Sequence, residues 1–171
     1  MLCIVRQIHE SALLLNGIFS EERLRRMGYN RLESKEGAMF EITAEQTRGD
    51  PPVTIIRLKG SFDTAATDVF EPVTREALEQ GAQNILLDLS GVTFLSSVGI
   101  RAITALYYEL HPKTFGPDKD AVLAGIRSGD YSAPHLKLLK PSSDAERVLQ
   151  MTGLSLVLES FEDESEAVES F

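Results

Sequence analysis

Two adjacent serines, Ser96 and Ser97, stand where a short extended stretch, Val92–Leu95, passes into a helix-like pattern. Their hydroxyls offer two chemistries. The first is structural: a serine at a helix start accepts hydrogen bonds from backbone N–H groups that lack an intrahelical partner. The second is modification: a phosphoserine there brings about −1.5 to −2 charge to the positive end of a helix, beside free N–H donors. Arg101 lies one turn beyond Ser97, placed to pair with such a phosphate. Nucleophilic catalysis lacks its parts, since no Gly-x-Ser-x-Gly elbow is present and His111 lies far along the same helix. Taken alone, the position favours capping and leaves phosphorylation open.

Other chemistries find little support. The sequence holds no Gly-x-x-x-x-Gly-Lys-Ser/Thr loop, and no Gly-x-Gly-x-x-Gly follows a strand pattern. Cys3 is the single cysteine, so no disulfide forms within the chain. His9, His111 and His135 are scattered, with no metal-ligand spacing. Carboxylate pairs are frequent because Asp and Glu total 26, and chance spacing explains them. No enzyme activity, metal or cofactor is implied.

The 171 residues suit one domain with a short appendage. With 43% hydrophobic and 25% charged residues, the composition is that of a globular protein that needs no metal or disulfide staple. Seventeen Lys and Arg against 26 acids give a net charge of −9, which disfavours DNA and RNA as direct partners. The early apolar run Ala12–Leu15 is far shorter than the about 20 residues of a membrane span. The first residues also lack a basic n-region and a small-residue cleavage site, so a cytoplasmic protein without stable membrane insertion is expected.

The elements that must position the serines alternate in type. Val53–Leu58 is rich in β-branched residues and reads as a strand ending at Gly60. Asp63 caps a helix with Ala66, Val69, Phe70, Val73 and Ala77 on one face. Pro72 should kink or interrupt it, and Gly81 should close it. Asn84–Leu89 reads as an interior strand, followed by a turn at Ser90-Gly91. Gly99, Ile103, Leu106 and Leu110 mark the helix after the serines, which stops near Pro112. His135–Lys140 is the next strand, Ser143-x-x-Glu146 opens a helix that stops at Gly153, and Leu154–Leu158 is the last strand. Phe161, Ala167, Val168 and Phe171 line one face of a closing helix. This alternation predicts an α/β single domain, with a mostly parallel central β-sheet and helices packed against it.

Two segments stand apart. Residues 1–38 form an N-terminal extension, with Ile4, Val5, Ile8, Ala12, Leu15 and Phe19 at helical spacing. Arg23, Arg25, Arg26 and Arg31 follow as a basic stretch. The readings are a docking arm, a weak membrane-surface helix, or an untranslated segment before a start at Met39. Residues 113–134 contain Gly116, Pro117, Gly125, Gly129 and Pro134 without periodicity, as expected of a long loop with a short helix around Val122–Ile126.

The run Asp88-Leu-Ser-Gly-Val-Thr-Phe-Leu-Ser-Ser-Val-Gly-Ile-Arg-Ala-Ile103 resembles the signature of the STAS domain, the family of anti-sigma-factor antagonists. The similarity extends over residues 39–171. It includes Ile56–Asp63, which resembles the family's second strand and its Gly-x-Leu-Asp turn, and Leu138–Leu154 near the end. The resemblance implies a STAS-type fold and a partner switch. An unmodified antagonist binds an anti-sigma factor, usually a serine kinase. Phosphorylation of a serine at the helix start breaks the complex, and a serine phosphatase restores it.

Carried onto this chain, the family's Asp-Ser-Ser/Thr-Gly pattern falls on Ser96, Ser97, Val98 and Gly99, with Ser97 as phosphoacceptor and Ser96 as second candidate. The implied partner surface comprises Asp63, Ser96, Ser97, Val98, Gly99, Ile100 and Arg101, with Val98 or Ile100 as exposed apolar contacts. Three departures stand out: Ser96 replaces a carboxylate, Val98 replaces a hydroxyl, and 113–134 is long where the family has a brief connection. A second reading of the same resemblance is a cytosolic STAS subunit of an ABC-type or anion transport system. Nucleotide sensing by the fold ranks last, without a recognisable motif.

Overall fold

The computed structural model describes residues 40–47, 50–111, 124–125 and 133–171. The expectations for residues 1–38, and for most of 113–134, lie outside these described residues. Helical backbone at 124–125 falls inside the short helix expected there.

Five strands form one sheet in the order β1 to β5: β1 (Glu41–Gln46), β2 (Val53–Phe62), β3 (Asn84–Leu95), β4 (Leu136–Leu139) and β5 (Ser160–Phe161). β1 runs antiparallel to β2 at one edge, and every other pairing is parallel. Among the described residues, the helices longer than one turn are α1 (Thr64–Glu79), α2 (Ser97–Leu110), α3 (Ser143–Thr152) and α4 (Glu164–Glu169). The expected α/β architecture, mostly parallel, is therefore found.

Side-chain alternation explains why β2, β3 and β4 lie inside. Ile56 and Leu58, Ile85 and Leu87, and Leu136 and Leu138 share one face and the main core, with Phe70, Ile103 and Leu149 from α1, α2 and α3. The opposite face carries Val53, Ile55, Leu86 and Leu139, covered by Ala167 and flanked by Phe161, Val168 and Phe171. Strands apolar on both faces need cover on both faces. Each fully buried aliphatic or aromatic side chain contributes about 1.5–3 kcal/mol relative to exposure.

Several boundaries differ from expectation. Ser90-Gly91 is not a turn, because β3 continues unbroken to Leu95. Asp88 pairs with Arg57 but Gly91 with Lys59, and Val92 pairs with Gly60 but Phe94 with Ser61. Each step inserts one extra residue on β3, the mark of a β-bulge. Gly91 suits the first, since a Cβ there would stand 2.8 Å from the Leu58 carbonyl oxygen. Pro72 does not interrupt α1, which runs through it.

The α3 cap is Ser142, one residue before the expected Ser143, and its Oγ accepts from the Ala145 N–H at 3.3 Å. Leu154–Leu156 is a 3₁₀ turn, not a strand, and the last strand is only Ser160–Phe161. Gly153, at φ 77°, ends α3 so abruptly that Leu154, Val157 and Leu158 turn into the core before the chain extends. Asp163 then caps α4 through the N–H groups of Ser165 and Glu166.

Candidate functional site

The serine turn is built at the C-terminal ends of two parallel strands. β2 ends at Phe62 and passes straight into Asp63, the N-cap of α1. β3 ends at Leu95 and passes into Ser96, the N-cap of α2. The Asp63 carboxylate accepts from the N–H groups of Ala65 and Ala66 at 3.0 and 3.2 Å. The Ser96 hydroxyl accepts from the Gly99 N–H at 3.1 Å.

Phe62 joins the two caps. Its carbonyl oxygen accepts the Ser96 N–H at 3.1 Å and the Ser96 hydroxyl at 2.9 Å. A Cβ on Gly99 would lie 2.7 Å from that same oxygen and 3.0 Å from the Phe62 ring. Such separations are well inside van der Waals contact, so only glycine lets α2 approach β2 this closely. Glycine at this position thus has a packing reason independent of any partner.

The two serines consequently differ. Ser96 is half-buried, and its hydroxyl both donates and accepts. Ser97, the first helical residue, is exposed and makes no side-chain hydrogen bond among the described residues. Arg101 is exposed one turn along, on the face that i, i+4 spacing assigns to Ser97. Val98 is half-buried and Gly99 buried.

Ile100 corrects an expectation. It is 6% exposed and belongs to the main core, so it offers no apolar contact outward. The exposed apolar group at this end is Phe94, at 59% exposure. Strict alternation would turn Phe94 inward if Thr93 faced out. The second β3 bulge leaves both outward between buried Val92 and Leu95. The sequence signals neither the bulge nor the exposure.

The two described histidines, His111 and His135, pack against each other at the far end of α2. No group of three metal-binding side chains occurs among the described residues. No described helix is long and apolar enough to cross a membrane.

Residues 42–114 match the family model of the STAS domain. No curated protein matches the chain. An anti-sigma factor antagonist from Mycobacterium paratuberculosis has a similar structure, with TM-score 0.58 and 18% identity over 77% of this chain and 92% of its own. The unphosphorylated form of the anti-sigma factor antagonist SpoIIAA gives TM-score 0.54 and 21% identity, over 75% of this chain and 94% of its own. The phosphorylated form of the Bacillus cell fate determinant SpoIIAA gives TM-score 0.52 and 23% identity, over 75% and 97%. The match to the STAS domain runs from Ile42 in β1 through the serine turn and α2, and the described residues take the STAS-type α/β fold.

Proposed function

We propose that the protein is an anti-sigma-factor antagonist that works by phosphorylation-controlled partner switching in the cytoplasm. Unphosphorylated, it binds an anti-sigma factor of the serine-kinase type. Phosphate on Ser97 dissociates that complex, and a serine phosphatase restores it. We propose no catalytic role for the chain itself.

The observation that carries this reading is the inequality of the serines. Ser97 presents an exposed hydroxyl at the first position of α2, whereas Ser96 spends its hydroxyl on Phe62 and Gly99. A phosphate on Ser97 would lie beside the first N–H groups of α2 and within one turn of Arg101. The fold tolerates the modification, while a partner resting on this end meets new charge and its desolvation cost. Ser96 can be modified only by breaking the tie to β2. The proposed contact surface is Asp63, Ser96, Ser97, Val98 and Arg101, with Phe94 added as its apolar element. Gly99 and Ile100 support it from beneath.

The test is binding of the chain to serine-kinase anti-sigma factors from its own organism, with wild type, Ser97→Ala and Ser97→Asp side by side. Wild type and Ser97→Ala should bind and Ser97→Asp should not. Equal binding by all three would show that Ser97 is not the switch.

A further inference from the structure

The end of α2 away from the serines carries an arrangement that partner switching does not use. His111 is the C-cap of α2 and is only 7% exposed. Its Nδ1 lies 2.9 Å from the Tyr107 carbonyl oxygen, and its Nε2 receives the backbone N–H of His135 at 3.3 Å. A carbonyl oxygen only accepts, so Nδ1 carries the hydrogen. A backbone N–H only donates, so Nε2 presents its lone pair. Both contacts together require the neutral imidazole in one tautomer.

The surroundings reinforce that choice. The Tyr107 ring stacks on His111 with centroids 4.8 Å apart, and the His135 ring lies at 5.5 Å. His135 in turn places its Nδ1 2.9 Å from Oδ1 of Asn84, the first residue of β3. Among the described residues, the groups facing His111 are therefore Tyr107 on α2, His135 ahead of β4, and Asn84 behind His135. Among the described residues the ion pairs involve Arg57, Lys59 and Lys137, and none reaches either imidazole.

We propose that His111 is a proton-sensitive clasp: its neutral imidazole fastens the last turn of α2 to the residue leading into β4, and a proton on Nε2 releases it. The protonated ring would turn an N–H against the His135 N–H and place a charge in a buried site beside a second histidine. Burial first, and then the charge on His135, hold the His111 imidazole below the ordinary histidine range, although the Tyr107 carbonyl pulls the other way.

An unfolded histidine titrates near about 6.5. Just below that value the unfolded chain binds a proton that the folded chain refuses, so stability falls as pH drops. The folding constant falls by up to about tenfold per pH unit until the folded His111 titrates. This clasp stands independently of the Ser97 switch, since it sits at the other end of a 14-residue helix and involves no partner.

The experiment is nitrogen-detected NMR titration of the histidines in the full chain, alongside urea unfolding over about pH 5–8. The expected result is a His111 ring protonated on Nδ1 with a midpoint below 6.5, and stability that declines on acidification. A midpoint at or above that value, or hydrogen on Nε2 in the neutral ring, overturns the clasp. His111→Asn and His111→Gln should flatten the pH dependence of stability relative to wild type. An unchanged slope in either overturns it as well. If both variants fail to fold, the wild-type titration decides alone.

Discussion

The hydroxyl of Ser96 and the carbonyl oxygen of Phe62 lie 2.9 Å apart, and this contact makes the start of α2 an extension of the end of β2. The same hydroxyl accepts the Gly99 N–H, so one side chain closes the cap and anchors it. An ionised carboxylate at this position could accept from Gly99 but could not donate to Phe62. The residue that departs from the STAS pattern thus has a specific local use.

Ser96→Ala should cost about 1–2 kcal/mol, because it removes a helix cap and one further hydrogen bond. Ser97→Ala, at an exposed position without such contacts, should stay within about 0.5 kcal/mol of wild type. Urea unfolding of the two variants checks the contrast. Equal costs would mean that the two hydroxyls are not inequivalent.

Gly99→Ala should destabilise by roughly 1–3 kcal/mol, even though alanine is the better helix former by about 1 kcal/mol. The reason is the 2.7 Å approach to the Phe62 carbonyl oxygen, which has no flexible side chain to move aside. Thermal unfolding, with amide shifts of α2 recorded beside it, reads the effect. A stabilised Gly99→Ala would show that the helix can retreat freely.

Phe94→Ala separates binding from folding. With the residue 59% exposed, loss of its ring should change stability by no more than about 0.5 kcal/mol. If the proposed partner surface is right, affinity for the anti-sigma factor should fall about tenfold or more, as for an exposed aromatic that becomes buried on binding. Titration calorimetry of the complex measures this directly.

Lys137 tests how the second face of the sheet is closed. Its ammonium, on a side chain 6% exposed, donates to the Ser170 carbonyl and hydroxyl at 2.8 Å each and lies over the rings of Phe161 and Phe171. Lys137→Met keeps the volume but removes the donor. Hydrogen exchange should then quicken across Glu164–Glu169 while β3 keeps its protection. Unchanged exchange in α4 would mean that apolar packing alone holds it.

The alternation of strands and helices, the Asp63 cap, the course of α2 and the place of the serine turn were all legible in the chain's local pattern. These are local properties, written in β-branched runs, helical spacing and residues that cap or end helices. The continuous apolar run Ile85–Leu87 also announced an interior strand, because a strand covered on both faces carries no polar alternation.

Tertiary structure decided the rest. Whether Ser90-Gly91 turns or bulges depends on how close β2 lies, and whether Leu154–Leu158 extends depends on the core it meets after Gly153. Ile100 went inward and Phe94 outward because the packing of α2 on Phe62 and the β3 bulge override the local pattern. His111 and His135, 24 residues apart in sequence, became one cluster only when the end of α2 met the start of β4. Ser97 was singled out by the resemblance to the STAS pattern, since the chemistry of its neighbours alone favoured capping. That its hydroxyl is free while that of Ser96 is held is a consequence of Phe62, which lies 34 residues before Ser96 and which no local pattern links to it.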